Sequence, residues 1–155
     1  MSLPIRKKNR LAEYDYCTPG YYFLTICTAD KSKLFWDTEV LIDGQPKLSA
    51  IGSIARKYLL EIPNYYQGVS VDKSVIMPNH IHLILILSKF HREIALPSVE
   101  NIIGQYKRAV SKAIGESIWQ KGFHDHVIRG ESDYRKIWQY IDMNPYRWTD
   151  DCYFE

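Results

Sequence analysis

The order of elements written into this chain predicts an α+β domain with an antiparallel central sheet. Three observations carry that prediction. Residues 80–88, HIHLILILS, form a strand apolar on both faces, so it lies centrally and is covered on each side. Two amphipathic segments, 51–62 and 96–117, repeat their apolar residues at helical spacing. Short strand-like runs alternate with them, and no repeat or low-complexity tract interrupts the pattern.

In chain order, YYFLTICTA (21–29) is rich in aromatic and β-branched residues and reads as a strand. LFWDTEVLIDGQPKLS (34–49) carries Asp43-Gly44 between apolar flanks, a hairpin signal. Ser49 precedes a helix in which Ile51, Ile54, Ala55, Tyr58, Leu59 and Ile62 face the core. VSVDKSVIM (69–77) alternates loosely and meets Pro78-Asn79, a tight connection into the central strand, where Asn79 serves turn geometry. Ser98 is the N-cap of a second helix with the stripe Val99, Ile102, Ile103, Tyr106, Val110 and Ala113. Tyr106 lies in mid-stripe and is a core tyrosine. GFHDHVIRG (122–130) gives a short strand, and ESDYRKIWQYIDMNP (131–145) a helix that Pro145 ends. Setting the hairpin aside, the first six elements run β-α-β-β-α-β, the ferredoxin-like (RRM-like) split βαβ pattern. An inserted hairpin and an extra C-terminal helix complete it.

At 155 residues the chain makes one domain, 1–155, with a basic tail over 1–13. No apolar run spans a bilayer, and the N-terminus lacks a signal-peptide core. Cys17, Cys27 and Cys152 are too scattered for a zinc finger or a disulfide framework, so a reducing cytoplasm is expected. The formal charge is only +2, but Arg6, Lys7, Lys8 and Arg10 cluster at the start, and Lys107, Arg108 and Lys112 share a later segment. Taken alone, these groups read as a solubilising tail and a solvated helix face. His91 sits in a polar stretch and is expected to be exposed.

Why would His80 and His82 open the most apolar strand? Side chains two apart share a face, about 7 Å apart along the strand, so the two imidazoles can hold one divalent metal. Hydrogen-bonded structural histidines are the plain alternative. On the last helix, Tyr134, Ile137, Trp138 and Ile141 cover the core arc, while Tyr140 and Asn144 share its flank. A phenol is a poor nucleophile at neutral pH, and a nearby cation favours its phenolate while drawing charge from a phosphoryl oxygen. Attack on a DNA phosphodiester then conserves the bond as phosphotyrosine, and the chain shows no phosphate loop.

Three stretches together resemble the one-tyrosine HUH endonucleases, specifically the REP-associated tyrosine transposases and their insertion-sequence (IS200-like) relatives. They are YDYCTPGYYFLTICT at the start, MPNHIHLIL with His80-Ile81-His82, and IWQKGFHDHVIRGESDYRKIWQYIDMNPYRW at the end. The resemblance implies His80 and His82 as metal ligands, Tyr140 as nucleophile, and Asn144 at the position that supplies a third ligand in relatives. It implies magnesium or manganese, of which manganese suits two imidazoles better. It implies as substrate single-stranded DNA with imperfect hairpins, cut beside a short guide sequence. It leaves open whether the chain is a monomer or a homodimer. Arg6, Lys7, Lys8, Arg10, Lys107, Arg108, Lys112, His126 and Arg129 then become DNA-contact candidates, with salt-sensitive binding. His124 and His126 form a second HxH, read as structural or DNA-contacting rather than metal-ligating.

Two further functions compete. One is a hydrolase or oxygenase using His80, His82, His124 and His126 as a zinc or iron site. The other is a non-catalytic nucleic-acid-binding module, which needs exposed aromatics on its sheet face; the RNP1-type pattern is absent from the HIHLILIL strand.

Overall fold

The computed structural model describes residues 15–88 and 95–153. The basic cluster Arg6, Lys7, Lys8 and Arg10, and His91, lie outside them. β1 (Gly20–Cys27), β2 (Val69–Ile76), β3 (His80–Leu87) and β4 (His124–Val127) form one sheet in the order β2-β3-β1-β4. Every neighbouring pair is antiparallel. This is the split βαβ arrangement that the element order predicts, with β3 and β1 as the central strands.

α1 (Ala50–Leu60) and α3 (Val99–Ile114) pack on one face, against Tyr22, Leu24 and Ile26 of β1 and Ile81, Leu83, Leu85 and Leu87 of β3. Ser49 caps α1 through Gly52 N at 3.0 Å, and Ser98 caps α3 through Asn101 N at 3.0 Å, as their sequence positions indicate. A single extra turn, α2 (Ile62–Tyr65), buries Ile62. The α3 stripe is buried except for Ala113, which sits on the exposed side one residue beyond Lys112. Tyr106 is a core residue, its hydroxyl donating to Ala55 O at 2.8 Å.

The 34–49 segment turns at Asp43-Gly44, both with positive φ (54° and 75°), as a two-residue hairpin turn requires. Ile42 and Gln45 exchange two backbone bonds, but only the Trp36–Leu48 bridge follows. Pro46 has no N–H to extend the ladder, so the hairpin remains a looped arm rather than a strand pair.

α4 (Glu131–Met143) crosses the other face of the sheet, over β2 and β3. Of its expected core arc only Ile141 is fully buried; Tyr134, Ile137 and Trp138 are half-covered, since among the described residues no second helix packs beside them. Pro145 ends the α-helix as expected, yet the chain continues as a tight 3-10 segment, Asn144–Asp150. Among the described residues no helix is long and apolar enough to cross a membrane.

Candidate metal and tyrosine site

The α4 face of β3 explains the two histidines. Alternation sends Ile81 and Leu83 into the main core and turns His80, His82 and Ile84 toward α4. Both imidazoles are buried, at 0% and 1% exposure, with ring centroids 4.5 Å apart. A buried imidazole must satisfy two nitrogens, and here only one of each pair is satisfied. His82 Nδ1 lies 2.8 Å from Thr25 Oγ1, its cross-strand partner on β1. His80 Nδ1 lies 2.8 Å from Asn79 Oδ1. The amide of Asn79 is oriented by its nitrogen, which donates to Tyr153 O at 2.8 Å. The oxygen therefore faces His80 as an acceptor, so Nδ1 carries the proton and the neutral ring presents a lone pair at Nε2. Nε2 of both rings is buried without a hydrogen bond.

What faces those two atoms comes from the C-terminal segment. Asp151 Oδ2 lies 3.5 Å from His80 Nε2, and His80, His82 and Asp151 each offer one donor atom, all within 4.8 Å of one another. Asn144 is buried, donates through Nδ2 to Asp151 Oδ2 at 2.9 Å, and leaves Oδ1 unpartnered. Two imidazoles, a carboxylate and an amide oxygen match the donors that manganese or magnesium accepts, with manganese favoured by the nitrogens. The orphaned buried nitrogens thus fit a divalent cation. Burial pushes the Asp151 carboxyl up, but the close approach of the His80 ring and the Tyr153 backbone N–H, which donates to Oδ1 at 2.8 Å, outweigh it and hold the group at about 2. Burial, and then the neighbouring His80, press His82 well below the ordinary histidine range, so it stays neutral and able to ligate.

Tyr140 stands beside this cluster. Its ring is 5.3 Å from that of His82 and 6.3 Å from Phe23, and it is 42% exposed. Burial first, then the charge of Asp151, push its phenol up to about 12, with Asn144 acting in the opposite direction. The α4 flank therefore does what its spacing indicates, bordering the sheet while leaving the phenol reachable.

Sequence reasoning pairs His80, His82, Tyr140 and Asn144, and the structure brings those four together. It misses Asp151 and Tyr153, whose ring packs on His80 at 4.4 Å. It also assigns Asn79 to turn geometry alone. The available signal was Trp148: this buried indole bonds Glu39 at 2.7 Å and packs on Trp36, anchoring the segment that returns Asp151 to the histidines.

The other candidates lie elsewhere. His124 and His126 share the sheet face of His82, but β1 intervenes, placing His124 two strands away, roughly 10 Å. His126 Nε2 is instead 2.7 Å from Asp133 Oδ2. Lys107 reaches the backbone carbonyls of Gln120 and Gly122 and ties that loop to α3. Arg108 and Lys112 are exposed on α3, across the sheet from Tyr140, and Arg129 is exposed beyond β4.

No family model matches the chain. It is 30% identical over 167 residues to an uncharacterized protein of Haemophilus influenzae, covering 94% of this chain and 91% of that one. Among solved structures, a REP-associated tyrosine transposase bound to a REP hairpin aligns with TM-score 0.67 and 21% identity, over 89% of this chain and 73% of its own. A candidate transposase of Deinococcus radiodurans R1 aligns with TM-score 0.50 and 16% identity, over 86% and 95%. At those identities the likeness to the solved structures is one of fold.

Proposed function

The chain belongs to the family of that Haemophilus influenzae protein and has the fold of a REP-associated tyrosine transposase, and on this premise we propose that it cuts and rejoins single-stranded DNA through Tyr140. The observation that carries the reading is the exposed phenol of Tyr140 beside two buried imidazoles with unsatisfied Nε2 atoms. His80, His82 and Asp151 would hold a divalent cation, with Asn144 orienting Asp151 and offering Oδ1 as a further donor. Mn2+ or Mg2+ bound there supplies Lewis-acid polarisation of the scissile phosphate and favours the phenolate.

The chain's own residues do the rest. Thr25 and Asn79 fix the histidine rings with Nε2 inward. Tyr140 Oη attacks phosphorus, the bond to the leaving sugar oxygen breaks, and that oxygen takes up a proton. The phosphotyrosine keeps the bond energy, so reversal reseals a strand without ATP. The solved neighbour is bound to a REP hairpin, and we extend that substrate class, hairpin-bearing DNA, to this chain. Arg108 and Lys112, exposed on α3, would hold a stem away from the cut. The four-histidine reading lacks support, since His124 and His126 are not brought to His80 and His82.

The test uses purified protein, Mn2+ or Mg2+, and labelled single strands copying imperfect palindromes that flank its gene. A metal-dependent covalent adduct lost in Tyr140→Phe and in His80→Ala is expected. An adduct that survives Tyr140→Phe would move the nucleophile elsewhere.

A further inference from the structure

β2 is an edge strand of the sheet, and its outer edge is open over only a short stretch. The tight turn into β3 closes with Met77 N donating to His80 O at 2.8 Å. From there backbone groups face β3 and the edge alternately, so those of Val75 and Lys73 pair with β3 while those of Ser74 and Ile76 point outward. Ile76 O accepts from Trp36 Nε1 at 2.7 Å, which agrees with that direction and covers one end of the edge. At the other end the bulge between Val71 and Lys73 breaks the ladder. Between these two limits, Ser74 N–H and C=O and Ile76 N–H have no hydrogen-bond partner among the described residues.

A cavity of about 430 Å³ lies along this stretch. Its inner wall is β2 itself, from Lys73 to Ile76, and its outer wall is the looped arm at Gly44, Gln45 and Pro46. The arm meets the end of α4 there: a Cβ added at Gly44 would lie 3.5 Å from Tyr146 Oη. The two sides of the slot differ in chemistry. On the α1 side, Arg56 is exposed and has no ion pair among the described residues. On the α4 side, Lys73 is already engaged by Asp142 at 2.8 Å and by the Trp138 ring at 4.0 Å, and Pro145 and Tyr146 make an apolar rim.

Outward N–H and C=O groups at strand spacing are what an added strand pairs with, and a nucleic-acid backbone offers no matching groups. We propose that this slot binds one extended peptide of a partner protein by strand addition to β2, with an acidic side chain on Arg56 and its apolar neighbour on Pro145 and Tyr146. Successive side chains of a strand point to opposite faces, so the two contacts fall on adjacent residues of the peptide. The bulge and Trp36 limit the paired stretch to roughly three residues, and the arm stands where the body of a second copy would have to lie. Tyr140 faces Phe23 of β1, two strands from this edge, so the slot does not depend on the strand-transfer reading.

The test follows backbone amides of the isotope-labelled full-length protein by NMR while a blocked peptide of alternating valine and glutamate is added. Shifts centred on Ser74 and Ile76 are expected, and they should vanish when the central backbone nitrogens of the peptide are methylated. Lysine in place of glutamate should weaken binding by about fivefold in the wild type and leave it unchanged in Arg56→Ala. Arg56→Ala should keep its Mn2+ affinity, which shows that the variant is folded. No shift at millimolar peptide, shifts centred elsewhere, or shifts that survive methylation would overturn strand addition. Larger shifts of Ser74 and Ile76 with oligo(dT) than with the peptide would overturn it in favour of nucleic acid. Shifts of the same amides on concentrating the protein alone, with a dimer in sedimentation, would overturn it in favour of a second copy.

Discussion

The ring of Tyr140 stands 5.3 Å from that of His82, inclined at 61°, with the phenol on a helix and the imidazole on the central strand of the sheet beneath. The strand face fixes where a cation can sit, and the helix flank fixes where a nucleophile can sit. Their meeting depends on α4 packing at one height over β3, which Ile141, fully buried beside Tyr140 in sequence, secures.

Adduct formation is expected to rise with pH. The phenol of Tyr140 is pushed up to about 12 by burial and then by Asp151. A group so far above neutrality loses its proton about tenfold more with each pH unit until its pKa is reached. Between pH 7 and 9 His82 is neutral throughout, its own titration being pressed well below 6.5. Single-turnover rates at saturating Mn2+ should therefore climb steadily across that window, levelling only where the bound cation brings the phenol into range. A flat profile would mean that the step measured does not involve loss of this proton.

Metal affinity should rank the donors. His80→Ala and Asp151→Ala are each expected to weaken Mn2+ binding more than tenfold, because each removes a donor from a group within 4.8 Å. Asn79→Ala should cost about tenfold through loss of the His80 tautomer, although Asn79 has no place among the donors. Asn144→Ala should fall below Asp151→Ala, since its amide nitrogen acts on the carboxylate. Electron paramagnetic resonance titration of free Mn2+ reads all four. If Asn144→Ala abolishes binding and Asp151→Ala does not, the ligand set is His80, His82 and Asn144.

Periodicity made most of this arrangement legible. Alternation in HIHLILIL placed both histidines on one face, and helical spacing put Tyr140 and Asn144 on one flank, because both patterns are local. Asp151 was not legible for the opposite reason. It reaches His80 only because a 3-10 segment, anchored by Trp148 on Trp36 and Glu39, bends the chain back, and those partners are distant in sequence. The hairpin shows the same limit: Asp43-Gly44 specified its turn, while Pro46 and the solvated flanks prevented the ladder. On β1, Tyr21 and Phe23 read as ordinary strand residues, and nothing local in the sequence shows that Tyr134 and Tyr140 of α4 meet them edge-on.

Metal-free protein should lose stability as pH falls below about 6.5. Burial and His80 depress the folded pKa of His82 below its unfolded value. Above the unfolded value both states are neutral at this site and nothing is lost. Below it the unfolded chain binds a proton that the folded protein refuses, so stability declines until the folded pKa is reached, by up to ~1.4 kcal/mol per pH unit. Asp151, held at about 2, titrates in a lower window and does not contribute there. Urea midpoints measured in chelator at pH 7.5 and 5.5 should differ, and His82→Gln should narrow the difference. An unchanged difference would assign the pH dependence to another group.

Gly52→Ala should destabilise the fold and reach the site indirectly. A Cβ at residue 52 would lie 2.1 Å from Phe35 O and 2.9 Å from Phe35 C, so backbone must move. Phe35 cannot yield freely: its N–H donates to Pro78 O at 3.0 Å, and its carbonyl accepts from Ser49 N at 2.8 Å. Pro78 adjoins Asn79, which sets the His80 tautomer, so displacement of Phe35 passes to the metal donors. Overpacking of this kind costs about 1–3 kcal/mol. The urea midpoint of Gly52→Ala should drop accordingly and its Mn2+ affinity should fall with it, while Ser53→Ala, exposed on the next helical position, changes neither. A stable Gly52→Ala with weakened Mn2+ binding would show the strain relieved toward Pro78. A destabilised one with wild-type affinity would show it absorbed within α1, leaving the histidines independent of this contact.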